Sequence, residues 1–600
     1  MSSEDANRVP LMFQAQIPER GKIQYAGNVE PASKWINQWL EGCPPAPEAV
    51  DEKVPVWKRK QVGRTVKLPE FGANVQTQQY QIRWRLITNS GQDEDMIRPV
   101  IGAKGLPFFP GSSMKGAFRR ACLTDAERSR YGGGEEETDG GEKKTVPGIL
   151  RFHGGYPVDM ASWAKRDRLV DVVHGQQPYQ VMGSGASHTA NVQISLYQPT
   201  FKFGISSTES LSKQEWDKIW TIWERALASG LGSRVSAGYG YVDKVNQDGS
   251  IIPIENSDRL ILSAYLSGQG LTPQLLNRTG EFRPNMFKAV LRGHTLRLLA
   301  GITNETVPKT NETVAKALTQ RIWGGIDGEA TVGKVGILFT VDEDDLKLDK
   351  HTYIPRNNPV SMPTYNLEVG RLDLLQVGNI SKELKKFLRH LLSFSMLLGG
   401  FGKSWRRIHH KLFDRSFQPS YFKNGDKPMI GCHWEFLPES EKLWILNNAS
   451  SLSSVTQFLQ KTQESAIAWL QSEGYEPNGY VRDWRETWHL NNVQVWGRIA
   501  QDKGDSQAVQ WFHGNYFAQQ SIKNSELTGW AAKRGFDSQV GRIWHRMYPR
   551  YVKNKAGNLI RLKDEYIELL TIFPDNSEDT QQFLDFLDSK SKFNLLWGDK

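Results

Sequence analysis

At 600 residues the chain exceeds what one hydrophobic core supports, so two to four domains are expected. Lys and Arg outnumber Asp and Glu 75 to 66; the surplus is small for this length, although a pI near 9.1 leans toward polyanionic partners. Cys43, Cys122 and Cys432 lie far apart, which excludes a C-x-x-C zinc cluster and a disulfide framework, and no apolar run is long enough to span a bilayer. The expectation is a soluble cytoplasmic protein with no membrane partner.

Residues 1–70 hold the Pro-rich stretch "GCPPAPEAVDEKVP" and read as an arm suited to lie along a neighbouring subunit. A strand-like run, "YQIRWRLITNSG", ends at Gly91, and an acidic turn follows at Asp93, Glu94 and Asp95. A short strand over Leu106 to Phe109 stops at Pro110 and Gly111, and a helix capped by Ser112 or Ser113 should begin there. Met114, Ala117, Phe118 and Ala121 recur at helical spacing toward a core. Lys115 and Arg119, four apart on a more exposed face, add two cations to the positive end of that helix, an arrangement suited to phosphate. Residues 131–147 mix glycine with both charges and read as a mobile insertion. A second helix from Ser212, with Glu215 completing a capping box, presents Trp216, Ile219, Trp220, Trp223 and Leu227 on one side. It runs into "SGLGSRVSAGYGYV", where Gly232 and Arg234 mark a basic glycine-rich turn suited to RNA backbone.

The same landmarks then recur. "RLILSAYLSG" ends at Gly268, 177 residues after Gly91. "FRPNMFKAVLRG" carries Asn285 as a candidate cap with Lys288 and Arg292 four apart, Lys288 lying 173 residues after Lys115. A helix from Ser381 ends in "GGFGKSWRRIHHKLF", with Lys403, Arg406 and Arg407, and Gly399 lies 169 residues after Gly230. Similar offsets for separate landmarks indicate an internal duplication. The order strand, basic helix, variable middle, helix, glycine turn, strand fits a βαββαβ ferredoxin-like core, which is also the RRM arrangement. Gly-Lys-Ser at 402–404 is not a P-loop, because Leu397 stands where glycine is needed and a helix precedes the motif.

From 438 the chain reads as helical and then as aromatic-rich strands. Gly529 to Lys555 alternates Arg542, Arg546 and Arg550 with Trp544, Tyr548 and Tyr551, a composition that suits phosphates and stacked bases and equally suits a packed amphipathic segment with a solvated basic face. His545 has no second ligand at zinc spacing and reads as structural. The fold class expected is α+β: an arm (1–70), two tandem ferredoxin-like, RRM-like units with insertions (71–252 and 253–437), and an α/β carboxy-terminal extension (438–600).

"LPFFPGSSMKGAFRR" resembles the Pro-Gly-Ser-Ser-apolar-Lys-Gly signature of the RAMP proteins of type III CRISPR effector complexes, and "GLGSRVSAGYGYV" resembles their glycine-rich loop. The resemblance covers roughly residues 75–437 and is looser in the second half. It implies two fused backbone units that bind CRISPR guide RNA and cleave complementary target RNA. Other type III effector subunits, including a large polymerase/cyclase-like one, are the implied partners. Cleaving members carry an aspartate between the first strand and the Pro-Gly-Ser-Ser turn; Asp95, fifteen residues before Pro110, matches that pattern. The implied reaction is metal-dependent attack by a ribose 2′-hydroxyl, with Mg2+ as the expected ion and Arg98 or Lys104 near the developing charge. The second unit has no aspartate between Gly268 and Pro284, only Glu281, so one cleavage centre per chain is expected, unless a middle acid such as Asp327 serves. The residues expected on RNA are Ser112, Ser113, Lys115, Arg119, Arg120, Gly232, Arg234, Lys288, Arg292, Lys403, Arg406, Arg407, Arg542 and Arg546. A scaffold without catalysis and a stand-alone RRM-like protein are the competing readings.

Overall fold

The computed structural model describes Trp39 and, from residue 68 onward, all but several short stretches, the longest being 414–428, 444–451, 531–538 and 184–190. The chain is α+β and divides into two compact units: residues 1–174, 187–258 and 275–277, and residues 175–186, 259–274 and 278–600. No helix among the described residues is long and apolar enough to cross a membrane.

The amino-terminal unit is built from β1 (Gln76–Ile82), β2 (Gly91–Asp93), β3 (Met96–Arg98), α1 (Gly111–Ala121), β4 (Leu150–Pro157), β5 (Val170–Val173), β6 (Asn191–Ile194), β7 (Thr200–Ser207), α2 (Lys213–Ala228), β8 (Val242–Val245) and β9 (Ile251–Pro253). The main sheet is antiparallel in the order β9-β8-β1-β7-β4. Without the edge strand β9, its core strands taken in chain order are arranged fourth, first, third, second, which is the βαββαβ ferredoxin-like topology. Strand alternation places Tyr80 and Ile82 of β1 and Phe201, Phe203 and Ile205 of β7 on the helix-covered face, all buried. Phe203 meets Trp223 of α2 at 5.2 Å, and each large side chain buried this way contributes about 1.5–3 kcal/mol. Ser212 caps α2 as expected, accepting from Glu215 N at 3.2 Å.

α1 departs from expectation at its start. It begins at Gly111 with Pro110 in the cap position and no side-chain cap, so Ser112 and Ser113 lie exposed in its first turn. The reason is β4. Phe109 exchanges both backbone bonds with Gly155 (2.8 and 2.9 Å), and a Cβ on Gly111 would stand 2.1 Å from Phe152 O. The Pro-Gly step therefore presses the chain against a neighbouring strand, and glycine is the residue that fits. A smaller sheet, β2-β3-β6-β5, stands beside the main one, with β3 and β6 parallel. The stretch expected as a mobile insertion contains a hairpin pairing Gly134–Glu137 with Lys143–Val146.

The carboxy-terminal unit contains two further cores. One comprises β10 (Leu260–Leu271), α3 (Asn285–Ala300), α4 (Val314–Trp323), β11 (Val335–Thr340), β12 (Leu346–Tyr353), β13 (Val360–Gln376), α5 (Lys382–Leu398) and β14 (Cys432–Phe436). Its sheet runs β11-β13-β10-β14 with β12 also on β13, again βαββαβ. Helix α6 (Ser453–Ser472) packs on α5, Phe387 stacking on Trp469 at 5.7 Å. The chain then forms β15 (Gln494–Ala500), α7 (Gln507–His513), β16 (Ile543–Lys553), β17 (Leu559–Ile572), α8 (Glu578–Ser589) and β18 (Asn594–Trp597), with sheet order β16-β17-β15-β18. This is a third βαββαβ core where only an α/β extension was expected, and it belongs to the same compact unit as the second.

Candidate nucleic-acid interface

In a βαββαβ core each helix follows a strand, so the start of the first helix and the turn after the second lie at the same end of the sheet. The topology therefore groups α1's exposed Ser112 and Ser113 and the half-buried Lys115 with the turn at 230–240, whereas Arg119 and Arg120 lie in the last turn of α1, toward the other end of the sheet. In the second core it groups Lys288 and Arg292 of α3, both half-buried, with the turn at 399–408. Gly402 lies close to α3: a Cβ there would stand 3.0 Å from Met286 Sδ. Asn285 is the first residue of α3 rather than its cap, Pro284 taking that position.

The two turns share a backbone conformation. Gly230, Gly232 and Arg234 have φ of 81°, 74° and 59°; Gly400, Gly402 and Ser404 have 98°, 94° and 61°. The offset is 170 at all three positions, so Gly400 is the counterpart of Gly230, and Gly399, at φ 179°, is ordinary extended backbone. Arg234 and Ser404 hold a left-handed conformation that costs a side chain about 1–2 kcal/mol. Strain kept twice at matching positions calls for a shared cause.

In the first turn most of the backbone amides have partners inside the protein. Leu231 N donates to Gly240 O (2.9 Å), Ser233 N to Ile87 O (2.9 Å) and Gly240 N to Arg85 O (2.8 Å), while Ala237 N and Gly238 N close the turn itself. Gly232 is required because a Cβ would come within 2.1 Å of Ile87 O. What the turn offers outward is side-chain charge: Arg234 is half-buried, and its Nε meets no acceptor among the described residues. Tyr239, also in the turn, donates to the buried Asp171 at 2.5 Å and accepts from Gln193 at 3.0 Å. Asp171 and Gln193 lie on β5 and β6, so this network ties the glycine turn to the sheet that carries β2 and β3, the strands on either side of Glu94 and Asp95 in sequence. Asp95 itself, Lys104, Asp327 and nearly all of the arm lie outside the described residues. Trp39 of the arm packs in the amino-terminal unit's own core, its indole N–H donating to Gly105 O at 2.9 Å.

The second turn differs in its side chains. Lys403 is exposed. Arg406 is buried, bound to Glu486 at 2.6 Å and stacked on Trp405 (4.9 Å) and Trp544 (5.2 Å). Arg407 donates to Thr528 O at 2.9 Å and lies over Phe512 at 4.8 Å; burial and the neighbouring Arg406 lower its pKa to about 10. Arg546 is 1 % exposed and donates to Met396 O (3.2 Å) and Trp434 O, with His433 Nδ1 3.0 Å from its third nitrogen. These three arginines join the second and third cores, which corrects the expectation that they face RNA. The aromatic residues expected as a stacking platform, Trp544, Tyr548 and Tyr551, are buried in the same way. Arg542 is half-buried, its nearest carboxylate being Asp575 at 3.9 Å.

The third core has neither feature. Its second helix and last strand are joined by Lys590–Phe593 without glycine. At the start of α7 the amides of Gln507 (3.2 Å) and Ala508 (3.0 Å) donate to the Glu568 carboxylate, which also receives Arg498 (2.6 Å) and Ser506 (2.7 Å). An internal carboxylate occupies the place where an outside anion would sit.

Among the described residues no group of three or more His, Cys, Asp or Glu side chains is placed to hold a metal ion.

No family model and no curated protein matches this chain. Among solved structures it is similar to Cmr1 from Pyrococcus furiosus in its apo form, at 12 % identity over 56 % of this chain and 98 % of that one, with a TM-score of 0.31. It is also similar to a chain of the type III-B Cmr-beta complex bound to cognate target RNA and AMPPnP, at 11 % identity over 55 % and 99 %, TM-score 0.27. A chain of a type IV-B CRISPR complex matches at 14 % over 27 % and 88 %, TM-score 0.19.

Proposed function

We propose that the chain is a RAMP-type backbone subunit of a type III CRISPR effector complex, binding guide RNA and cleaving complementary target RNA at one site, Asp95 of the first core. The observation that carries this reading is the matched φ pattern at 230/232/234 and 400/402/404, each at the same sheet end as a Lys-containing helix start. Duplicated cationic ends of this kind suit a polynucleotide backbone, gripped without reading its sequence, while base pairing supplies specificity. Because most amides of the first turn are used internally, the grip is assigned to side chains, namely Ser112, Ser113, Lys115, Arg119, Arg120, Arg234, Lys288, Arg292 and Lys403, with Gly232 as a space-saving position.

Asp95 would accept the proton of a ribose 2′-hydroxyl as that oxygen attacks the adjacent phosphorus and the 5′-oxygen departs. A divalent ion such as Mg2+ would stabilise the charge on the phosphoryl oxygens. The test is cleavage of a guide-complementary RNA by the assembled complex. Asp95→Ala should abolish the cut next to the first core while the assembly and its guide stay intact, and EDTA should do the same to the unaltered complex. Cleavage that survives Asp95→Ala makes the subunit a guide-binding scaffold instead. Purification of the native chain with no small RNA of uniform length would remove the guide altogether.

A further inference from the structure

Where the second and third cores meet, arginine side chains outnumber the acids that could balance them among the described residues. Glu486, fully buried, takes Arg297 (2.6 Å) and Arg406 (2.6 and 2.9 Å) at once, so its carboxylate is fully engaged. Arg485, the residue just before it in the chain, donates to Val540 O, and the field it experiences comes chiefly from Glu486, Arg406, Arg542 and Glu526. Arg542 Nε approaches Asp575 Oδ2 only to 3.9 Å, while the other oxygen, Oδ1, takes the Ser577 hydroxyl (2.6 Å) and amide (3.1 Å). Among the described residues, four guanidinium groups thus share three carboxylates, Glu486, Glu526 and Asp575.

The hydrogen-bond inventory points the same way. The Nε of Arg406, of Arg485 and of Arg542 is each buried, and none has an acceptor among the described residues. A buried donor without a partner costs about 1–3 kcal/mol, more when charged. Burial and the neighbouring Arg406 and Arg542 outweigh the pull of the acids and lower the Arg485 pKa to about 10. Like charges in a half-buried place, each with a donor unused, form an incomplete site that one multivalent oxyanion would complete. Guanidinium groups suit phosphate, whose oxygens accept two parallel N–H bonds from one planar fork.

We propose that Arg485 and Arg542, backed by Arg406, form a binding site for a phosphate group. The site goes beyond the two glycine turns and does not depend on cleavage at Asp95. Its ligand is either a phosphate of an RNA strand or a free phosphate, chemistry the two share.

The experiment titrates the full-length chain with inorganic phosphate in chloride buffer at constant ionic strength, reading the melting temperature and the heat of binding. Saturable binding that raises the melting temperature is expected. Arg542→Gln should weaken it at least about tenfold, the loss expected for one charge-assisted pair. Arg485→Lys keeps the charge without the fork and should weaken it as well. Without phosphate, Arg542→Gln should melt no lower than the parent, because it relieves repulsion; a purely structural arginine would melt lower and ignore phosphate. A single-stranded RNA that displaces phosphate identifies the backbone as the source, and RNA that binds alongside it identifies a free phosphate. No saturable phosphate effect, or an effect untouched by both substitutions, overturns the proposal.

Discussion

The turns at 230–240 and 399–408 follow one backbone plan and put it to different uses. In the first, the glycines press the chain against Ile87 and Arg85, and Arg234 keeps a nitrogen unengaged. In the second, the left-handed positions recur, but Trp405, Arg406 and Arg407 are covered by the third core, leaving Lys403 outside. Backbone shape is set by glycines and is inherited easily; the side chains it presents can pass from ligand to interior when a new domain settles on them. On the proposed reading the first core would carry most of the grip on RNA, and the second would serve chiefly as a foundation for the third.

The strongest way to break the comparison is at Glu486. Glu486→Gln leaves Arg297 and Arg406 buried without a countercharge and should cost about 3–5 kcal/mol in denaturant unfolding of the carboxy-terminal unit. Acid should act in the same direction. Burial alone would raise the Glu486 pKa, but Arg406 and Arg297 outweigh it and hold it at about 2, so its stabilisation is complete above the ordinary carboxylate range and lost on the way down to 2. Burial and the nearby His433 hold His409 at about 3; unfolding lets it take up a proton below about 6.5, so stability falls from there toward 3. A melting temperature flat between pH 7 and 4 would contradict a neutral, buried His409.

Gly232→Ala should be the next most harmful change. The new Cβ combines a left-handed φ with a carbonyl 2.1 Å away, for roughly 2–4 kcal/mol, whereas Gly402→Ala meets only the movable Met286 thioether and should cost about 1–2 kcal/mol. Equal losses at the two positions would mean that the packing beneath the turns does not differ as described. The smallest stability effects sharpen the contrast most. Arg234→Ala should leave unfolding within about 0.5 kcal/mol while lowering RNA affinity and the salt slope by roughly 0.9. Arg407→Ala should do the reverse, lowering stability with RNA binding unchanged in a filter-binding titration.

Much of this architecture could be read before any coordinates. The duplication was visible because its landmarks, paired glycines and cations four apart, are sparse and distinctive. Helix α2 was equally plain, since Ser212, Glu215 and the tryptophans at helical spacing act locally. The third core was hidden because it lacks those landmarks: where a glycine turn would stand it has Lys590–Phe593, and where an anion would sit it has Glu568, 62 residues from Ser506. Arg406, Arg407 and Arg546 looked like surface charge because composition cannot tell an arginine meeting RNA from one stacked on tryptophan. Asp171 and Gln193 carried no signal either, since their partner Tyr239 is distant in sequence.

The stretch 175–186 has a practical implication for anyone wishing to bisect this polypeptide. Although flanked on both sides by residues of the amino-terminal unit, it is counted with the other. Val181 sits wholly inside that other unit and accepts from Glu486 N at 2.9 Å, while Gln180 takes a bond from Arg406 at 2.8 Å. Expressing residues 259–600 separately would leave a void where an aliphatic plug belongs, and a fragment ending at 258 would display that plug to solvent. Residues 175–186 and 259–600 should therefore be produced in one polypeptide.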